Sequence, residues 1–159
     1  FYRRARAAQA AGMPFLIFEY KRRSPSAGPL GDAPLEAQID AYAAAGAGAV
    51  SVLTDGPAFG GSLAHLATAA ARLAPQGIPA LRKDFILDEL QVLEARAAGA
   101  EAVLLIASIL SDEALLRLRA LAEGLHMGVL AEVHTAGELQ RVLALGFPVV
   151  GVNHRCLHS

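Results

Sequence analysis

The sequence predicts an α/β fold in which short buried strands alternate with helices. Six apolar runs are candidate strands, at 15–20, 49–53, 78–81, 102–106, 128–131 and 148–152. Their apolar residues are consecutive rather than alternating, which is typical of parallel strands that are buried on both faces. Longer segments with helical periodicity separate the runs, and this order of elements favours a parallel sheet with right-handed crossovers.

Apolar residues between the strands recur at helical spacing. Two segments place an apolar residue at every third or fourth position, which predicts one apolar face each. The first face consists of Ile86, Leu90, Leu93 and Ala97, and the second of Leu115, Leu118, Ala122 and Leu125. We expect both faces to pack against the sheet.

Residues that favour helix ends bound these segments. The N-terminal signals are Ser62, Ser111, Asp32 with Pro34, and Thr135 with Glu138, the last pair as a capping box. The C-terminal signals are Gly46, Gly99 and Gly146, each followed directly by a strand. Residues 1–12, rich in Ala and Arg, predict the tail of a preceding N-terminal helix.

The composition excludes several classes of protein. The chain has 159 residues, 54% of them apolar, and a net charge of −1, which argues against disorder and against a nucleic-acid or anionic-membrane surface. The single cysteine, Cys156, excludes a disulfide scaffold and a multi-cysteine zinc site. Since no apolar run is long enough for a bilayer and no signal peptide opens the chain, we expect a cytoplasmic protein.

Two architectures fit this order of elements. An open doubly wound nucleotide binder carries G-x-G-x-x-G after its first strand, whereas this chain has EYKRRSPSAG there. A (β/α)8 barrel needs eight strands and about 250 residues. We therefore predict an incomplete (β/α)8 TIM barrel with strands 1 to 6 present, as a single partial domain over 1–159 that is cut at both ends.

Polar side chains follow almost every predicted strand. In order along the chain they are Glu19, Lys21, Thr54, Asp55, Arg82, Lys83, Asp84, Ser108, Glu132, His134, Asn153 and Arg155. The carboxyl ends of barrel strands form the active-site face. Because charges at the ends of buried strands are costly without a partner or a task, we expect these groups to form the site.

The two lysines sharpen this prediction. Of 14 basic residues 12 are arginine, and the two lysines, Lys21 and Lys83, both follow strands. Unlike arginine, lysine is readily tuned by its surroundings for acid–base work. With Glu19 and Glu132 at the same face, the lysines predict an acid–base site. The alternative is that these groups are Lys–Glu pairs that only neutralise each other.

Two loops carry weaker signals. The segment SPSAG at 24–28 offers hydroxyl and backbone donors for an anion close to Lys21, although an ordinary turn explains it equally simply. The segment FGGS at 59–62 predicts a flexible loop that leads into a helix, with Phe59 either as a lid over a ring or as an anchor of the loop.

The histidines do not predict a metal site. His65 and His126 are expected at packing or surface positions, and His134 and His158 lack the spacing of metal ligands. Cys156 has no accompanying His–Asp pattern that would make it a nucleophile. We therefore predict a site without metal.

Five segments carry motifs that are more specific together than alone. They are LIFEYKRRSPSAGPL at 16–30, SVLTDGPAFGGS at 51–62, PALRKDFILDELQVLEARAAGAEAVLLI at 79–106, LAEVH at 130–134 and GVNHRCL at 151–157. With E-x-K-x-x-S-P-S followed by R-K-D-F-I, the chain resembles indole-3-glycerol phosphate synthase from about residue 13 to 157. The resemblance implies a carboxy-lyase of tryptophan biosynthesis that works without a cofactor. Its phosphorylated substrate, 1-(2-carboxyphenylamino)-1-deoxyribulose 5-phosphate, becomes indole-3-glycerol phosphate, CO₂ and water.

The same resemblance implies five catalytic roles. Lys83 would be the general acid that protonates the substrate carbonyl during ring closure, and Glu132 would assist proton transfer in the later dehydration. Glu19 and Asn153 would position the reacting hydroxyl and the ring nitrogen. Lys21 would hold anionic groups of the substrate and help the second step.

Five further residues are implied in substrate binding. Ser24 would lie beside the anion-binding lysine. Phe59, Phe85 and Leu157 would form the wall around the anthranilate ring, and Arg155 would support the side of the site that positions the hydroxyl.

The chain also departs from the family pattern. Cys156 stands where the family usually has Asp, and the family's main phosphate site lies on loops after strands 7 and 8, beyond the six predicted here. We therefore expect the 159-residue chain alone to be inactive or nearly so. Two alternatives stay open: a non-catalytic homologue that acts as a binding or interaction module through an open barrel edge, and another phosphate-handling barrel with different chemistry.

Overall fold

The strands of the protein form one curved parallel sheet and one small hairpin. In the computed structural model, which describes residues 1–24, 28–30 and 33–153, the strands are β1 (Ile17–Tyr20), β2 (Arg23–Ser24), β3 (Gly28–Pro29), β4 (Ala49–Leu53), β5 (Ala80–Lys83), β6 (Ala102–Ile106), β7 (Gly128–Val133) and β8 (Val150–Val152). The sheet has the order β1-β4-β5-β6-β7-β8 with all neighbours parallel, and β2 pairs with β3 antiparallel. Within the described residues, β1 and β8 are the two edge strands.

Helices connect successive strands of the sheet. They are α1 (Tyr2–Ala10), α2 (Leu35–Ala44), α3 (Gly56–Phe59), α4 (Leu63–Leu73), α5 (Glu89–Ala97), α6 (Asp112–Gly124) and α7 (Ala136–Ala144). This alternation confirms the predicted incomplete (β/α)8 barrel with its first six sheet strands. In the part of the chain that the structure describes, no helix combines the length and the apolar character that crossing a bilayer requires.

The strand boundaries agree with the sequence for two strands and differ for the other four, of which β1, β5 and β8 begin two residues later than predicted. The predicted strands 49–53 and 102–106 match β4 and β6 residue for residue. However, β5 and β7 each continue two residues beyond the predicted 78–81 and 128–131. The cause is backbone pairing, since Lys83 lies in register with Leu53 and Glu132 with Ile106. Pairing between strands extends past the point where the apolar run stops.

The core has two layers, one on each side of the sheet. The larger layer lies between the sheet and the helices. The smaller layer lies inside the barrel, where the buried side chains are Leu81, Ala102, Leu104 and Ile106, with Phe1 and Leu130 packed against them. Successive side chains of a strand point to opposite faces, so Lys83 shares the inner face with Leu81, and Glu132 shares it with Leu130.

Helix α1 covers the end of the barrel opposite to the polar strand ends. Tyr2 Oη donates to Glu123 at 3.1 Å and accepts from the backbone N–H of Val129 at 2.9 Å. The Phe1 ring lies so close to Gly128 that a Cβ there would be 2.7 Å from a ring carbon. The helix therefore closes the amino-terminal end of the sheet. That residues 1–12 are the tail of a longer helix stays a prediction.

Most of the predicted helix ends are present. Ser62, Ser111 and Thr135 each accept a hydrogen bond from a backbone N–H in the first turn. The predicted capping box is wrong in one detail, because the Glu138 carboxylate accepts from the N–H of His134 at 2.8 Å rather than from Thr135. Gly46, Gly99 and Gly146 end helices with φ of 83°, 85° and 74°. Asp32 lies outside the described residues, and α2 begins after Pro34.

The predicted apolar face of α5 is wrong, whereas that of α6 is confirmed. Leu115, Leu118 and Ala122 are fully buried. In α5, Leu90 is 61% exposed and Leu93 45% exposed, while Val92 and Ala95 are the buried residues. The helix begins only at Glu89, after the N-cap Asp88. The buried Ile86 is therefore a loop residue and does not set the helical phase.

Candidate active site

Three of the predicted catalytic residues meet on the inner face of the barrel. Lys83 Nζ, at the end of β5, lies 3.7 Å from Glu132 Oε2 on β7. Asn153, directly after β8, donates from Nδ2 to Glu132 Oε1 at 3.1 Å. The Lys83 side chain is 27% exposed and that of Glu132 13%. A cation, an acid–base group and an amide thus converge at the mouth, and their catalytic roles stay predictions.

The other two predicted catalytic residues form a second pair at the end of β1. Lys21 Nζ donates to Glu19 Oε1 at 2.6 Å, and both side chains are about one-third exposed. The hydroxyl of Tyr42, on α2, donates to the backbone oxygen of Glu19 at 2.9 Å and so anchors the strand end. Each lysine therefore has a glutamate partner, as the neutralising-pair alternative also predicts. The two pairs differ in length, since the Lys83–Glu132 distance is 3.7 Å and the Lys21–Glu19 distance 2.6 Å.

Not all strand-end polar groups face the mouth, and this corrects the sequence prediction. Arg82 is 4% exposed and points to the helix side, where Nε donates to Thr54 Oγ1 at 3.1 Å and Nη2 to Asp84 Oδ2 at 3.0 Å. Its Nη1 donates to the backbone oxygen of Gln91 and to Glu94 Oε2, both on α5. We call Thr54, Arg82, Asp84 and Glu94 the outer network. Side chains alternate along a strand, so Arg82 and Lys83 must face opposite sides.

A cavity of about 380 Å³ adjoins the pair at the end of β1. Glu19 and Lys21 line it, and it extends outward to Gln38 and Tyr42 on α2 and to His65 on α4. The His65 ring packs edge-on against Tyr20, and its buried Nδ1 has no hydrogen-bond partner among the described residues. Burial, reinforced by the positive charge of Arg22, lowers the pKa of His65 below its ordinary value.

The loop at 59–62 is more tightly fixed than the predicted flexible loop. Asp55 caps the one-turn helix α3 by accepting from the N–H of Ala58 at 2.7 Å. Gly60 ends that helix with φ of 66°, and a Cβ on Gly61 would lie 2.2 Å from the backbone oxygen of Leu53. Phe59 is half-buried at the end of α3. Backbone contact with β4 thus requires glycine at 61.

The remaining predicted binding residues have different positions. Ser24 is buried in β2, close to the end of β1. Phe85 follows β5 and is 37% exposed. Ser26, Arg155 and Leu157 lie outside the described residues, as does Cys156. The described residues hold no cluster of three or more His, Cys, Asp or Glu side chains suited to a metal ion.

His134 is a residue at the mouth that the sequence predicted as one of the strand-end polar groups, without a role of its own. It lies two residues after Glu132, so its side chain continues along the inner face of β7. Its Nε2 lies 3.5 Å from Glu132 Oε1 and its Nδ1 lies 3.7 Å from Glu138 Oε2. The signal that could have found it is the spacing Glu-x-His at a strand end, which places both side chains on one face.

Comparison with known proteins gives one consistent family. The family profile described as indole-3-glycerol phosphate synthase matches residues 1–159. Curated relatives with that name include those of Azoarcus sp. (strain BH72), 49% identical over 150 residues, and Acidithiobacillus ferrooxidans (strain ATCC 53993 / BNL-5-31), 49% identical over 154 residues. The relative from Burkholderia vietnamiensis (strain G4 / LMG 22486) is 46% identical over 155 residues.

The coverage of these matches is asymmetric. They include 94%, 96% and 97% of this chain but only 56%, 57% and 58% of the three relatives. The chain therefore spans a little over half the length of the curated relatives it matches.

Among solved structures, a 3-hexulose-6-phosphate synthase superimposes with a TM-score of 0.62 at 18% identity, over 89% of this chain and 66% of that one. At that identity the likeness supports the fold alone. The profile match over all 159 residues and the three close relatives show that the chain belongs to the indole-3-glycerol phosphate synthase family.

Proposed function

We propose that the whole protein is an indole-3-glycerol phosphate synthase. It would convert 1-(2-carboxyphenylamino)-1-deoxyribulose 5-phosphate to indole-3-glycerol phosphate, with release of CO₂ and water. The observation that carries the proposal is the contact of Lys83 with Glu132 at the barrel mouth, in a chain of this family.

Ring closure is the step assigned to Lys83. The aromatic carbon that bears the carboxylate forms a bond to the ketone carbon, and the carbonyl oxygen takes the proton of the Lys83 ammonium. The carbon–carbon bond to the carboxylate then breaks, CO₂ leaves, and its electron pair restores the aromatic ring. An ammonium aimed at an oxygen that becomes negative stabilises the transition state. At 3.7 Å from Glu132 the Lys83 ammonium is held loosely enough to donate.

Dehydration is the step assigned to Glu132 and its neighbours. The hydroxyl formed by ring closure leaves as water after it gains a proton, and a base removes a proton so that the indole ring becomes aromatic. The Glu132 carboxylate, which accepts from Asn153, would be the base that takes the ring proton, and Lys21 would help this step by giving the hydroxyl its proton. Glu19 and Asn153 would orient the hydroxyl and the ring nitrogen.

Substrate binding is assigned to the loops around the mouth. Lys21 and Ser24 would hold anionic groups, and Phe59, Phe85 and Leu157 would enclose the anthranilate ring, with Arg155 supporting the positioning groups. No cofactor is needed for this reaction, and we place the protein in the cytoplasm. We also propose that the edges at β1 and β8 are covered in the whole protein, and that the 159-residue chain alone turns over little substrate.

The test is a fluorescence assay for the indole product. In the whole protein, Lys83→Ala should lower kcat by about a thousandfold, as loss of a general acid does. The matched control is Arg117→Ala, which also removes one positive charge but lies on the outside, paired with Glu89. Absence of product with the wild-type protein, or undiminished turnover by Lys83→Ala, would overturn the proposal.

A further inference from the structure

His134 occupies the junction between β7 and α7. Its backbone N–H donates to Glu138 Oε2 at 2.8 Å, so the first turn of α7 fixes the backbone position. Its side chain lies on the same face of the strand as Glu132. The backbone of His134 is thus hydrogen-bonded to α7, and its ring lies at the barrel mouth.

The ring of His134 lies between two carboxylates. Nε2 is 3.5 Å from Glu132 Oε1, Nδ1 is 3.7 Å from Glu138 Oε2, and the side chain is 11% exposed. Neither ring nitrogen makes a hydrogen bond within the described residues, although both are buried. Burying polar nitrogens without hydrogen bonds is unfavourable. A role that is only packing would not explain why a histidine is used here.

Among the described residues, the charge at this place is unbalanced when the histidine is neutral. Within them, the charged groups that face the ring or its partner are Glu132 on β7, Glu138 on α7 and Lys83 on β5. Two carboxylates then oppose one ammonium, and a proton on His134 makes the charges equal. Catalytic hydrogen bonds are often long in the absence of substrate and shorten in the complex, so both contacts are within reach of hydrogen-bonding distance.

We propose that His134 is the residue that positions Glu132 and accepts a proton from it during turnover. This inference rests on the proposed function, because it acts through Glu132. After Glu132 has taken a proton, its O–H bond breaks, a bond forms between that proton and His134 Nε2, and the electron pair stays on the Glu132 carboxylate. For this step Nδ1 must carry the hydrogen of the neutral ring, on the side of Glu138 Oε2, 3.7 Å away. The resulting imidazolium lies between two carboxylates until solvent water removes the proton.

The first experiment measures turnover of the whole protein against pH. His134→Gln, which can hydrogen-bond but cannot take up a proton, should lower kcat about tenfold, less than loss of a direct acid because water can carry the proton slowly. KM should stay unchanged and the pH dependence of kcat between about pH 5.5 and 8 should flatten. Free imidazole should restore His134→Ala, which a merely structural role would not produce. His126→Asn is the control, since His126 is exposed and Asn tolerates its φ of 62°.

The second experiment needs no turnover. Nitrogen-15 chemical shifts of the ring should show the hydrogen of neutral His134 on Nδ1, and Glu132→Gln should shift the Nε2 signal. An active wild-type protein whose His134→Gln variant keeps its kcat and pH profile would overturn the role of His134 and leave the proposed function standing. A wild-type protein without product would overturn the function. His134 signals that are identical in wild type and Glu132→Gln would overturn the pairing itself.

Discussion

Arg82 and Lys83 are consecutive residues of β5 with opposite surroundings. On the helix side, Arg82 is 4% exposed and donates four hydrogen bonds, to Thr54, Asp84, Gln91 and Glu94. On the inner side, the Lys83 side chain is 27% exposed, and within the described residues it makes one ion pair, at 3.7 Å. The comparison shows that one strand end holds two charges in different surroundings, because side-chain alternation places Arg82 on the helix side and Lys83 at the barrel mouth.

The chemical types of the two residues suit these surroundings. A guanidinium is planar, always charged and has five donors, so it can hold several acceptors in fixed positions. An ammonium is a compact charge on a flexible chain, and it can change protonation state when its surroundings change. Exchanging the two residues would place a group that cannot release its proton at the mouth.

The largest effect on stability should come from breaking the outer network. Arg82→Leu removes the cation that lies between Asp84 and Glu94, and loss of one partner of a buried ion pair costs about 3 kcal/mol. Urea denaturation of the 159-residue chain measures this as a lower midpoint. Lys83→Met is the matched variant from the other face and should change the unfolding free energy by less than about 1 kcal/mol. Equal losses in the two variants would contradict the separation of roles.

A smaller loss of stability should follow from removing the Thr54 hydroxyl, which lies at the centre of the outer network. Thr54 Oγ1 accepts from Arg82 Nε at 3.1 Å and donates to Asp84 Oδ2 at 2.5 Å. Thr54→Val keeps the shape but leaves both partners with one hydrogen bond fewer, which costs about 1–2 kcal/mol. The control is Thr68→Val on α4, which should stay within about 0.5 kcal/mol of wild type. A Thr54→Val variant as stable as the control would show that the outer network does not depend on its hydroxyl.

The sequence predicted the elements better than the directions of their side chains. Long apolar runs located β4 and β6 without error, because both faces of those strands are buried. The sequence predicted that the polar residues at the strand ends form a single site. In the structure they are divided between the inner face and the helix side of the sheet. Which face a residue such as Arg82 takes depends on where the strand stops, and pairing with neighbouring strands decides that. The prediction that Leu90 is buried failed for a similar reason, because the N-cap at Asp88 sets the phase of α5.

The contacts of His134 could not be predicted from the sequence for a related reason. They involve Glu138, for which the sequence suggested a reciprocal capping box. Instead the Glu138 carboxylate reaches back one residue further and meets both the N–H and the ring of His134. Local patterns predicted the start of α7 correctly. They did not predict the contact between Glu138 and His134, which lies at the barrel mouth.

The smallest effect concerns the helix side of β1, behind the pair formed by Glu19 and Lys21. Burial, and then the charge of Arg22, lowers the pKa of His65 from its ordinary value of 6.5. The unfolded chain therefore takes up a proton more readily than the folded chain. The contribution of neutral His65 to stability is complete above pH 6.5 and is lost as the pH falls through the lowered pKa.

Urea denaturation at about pH 8 and about pH 5 tests this dependence. The wild-type chain should lose more stability between the two pH values than His65→Gln, which cannot be protonated there. His126→Asn, which removes an exposed histidine, should retain the full loss. If His65→Gln lost as much stability in acid as wild type, the helix side of β1 would carry no acid-sensitive group. The contrast between the inner face and the helix side would then hold for β5 but not for β1.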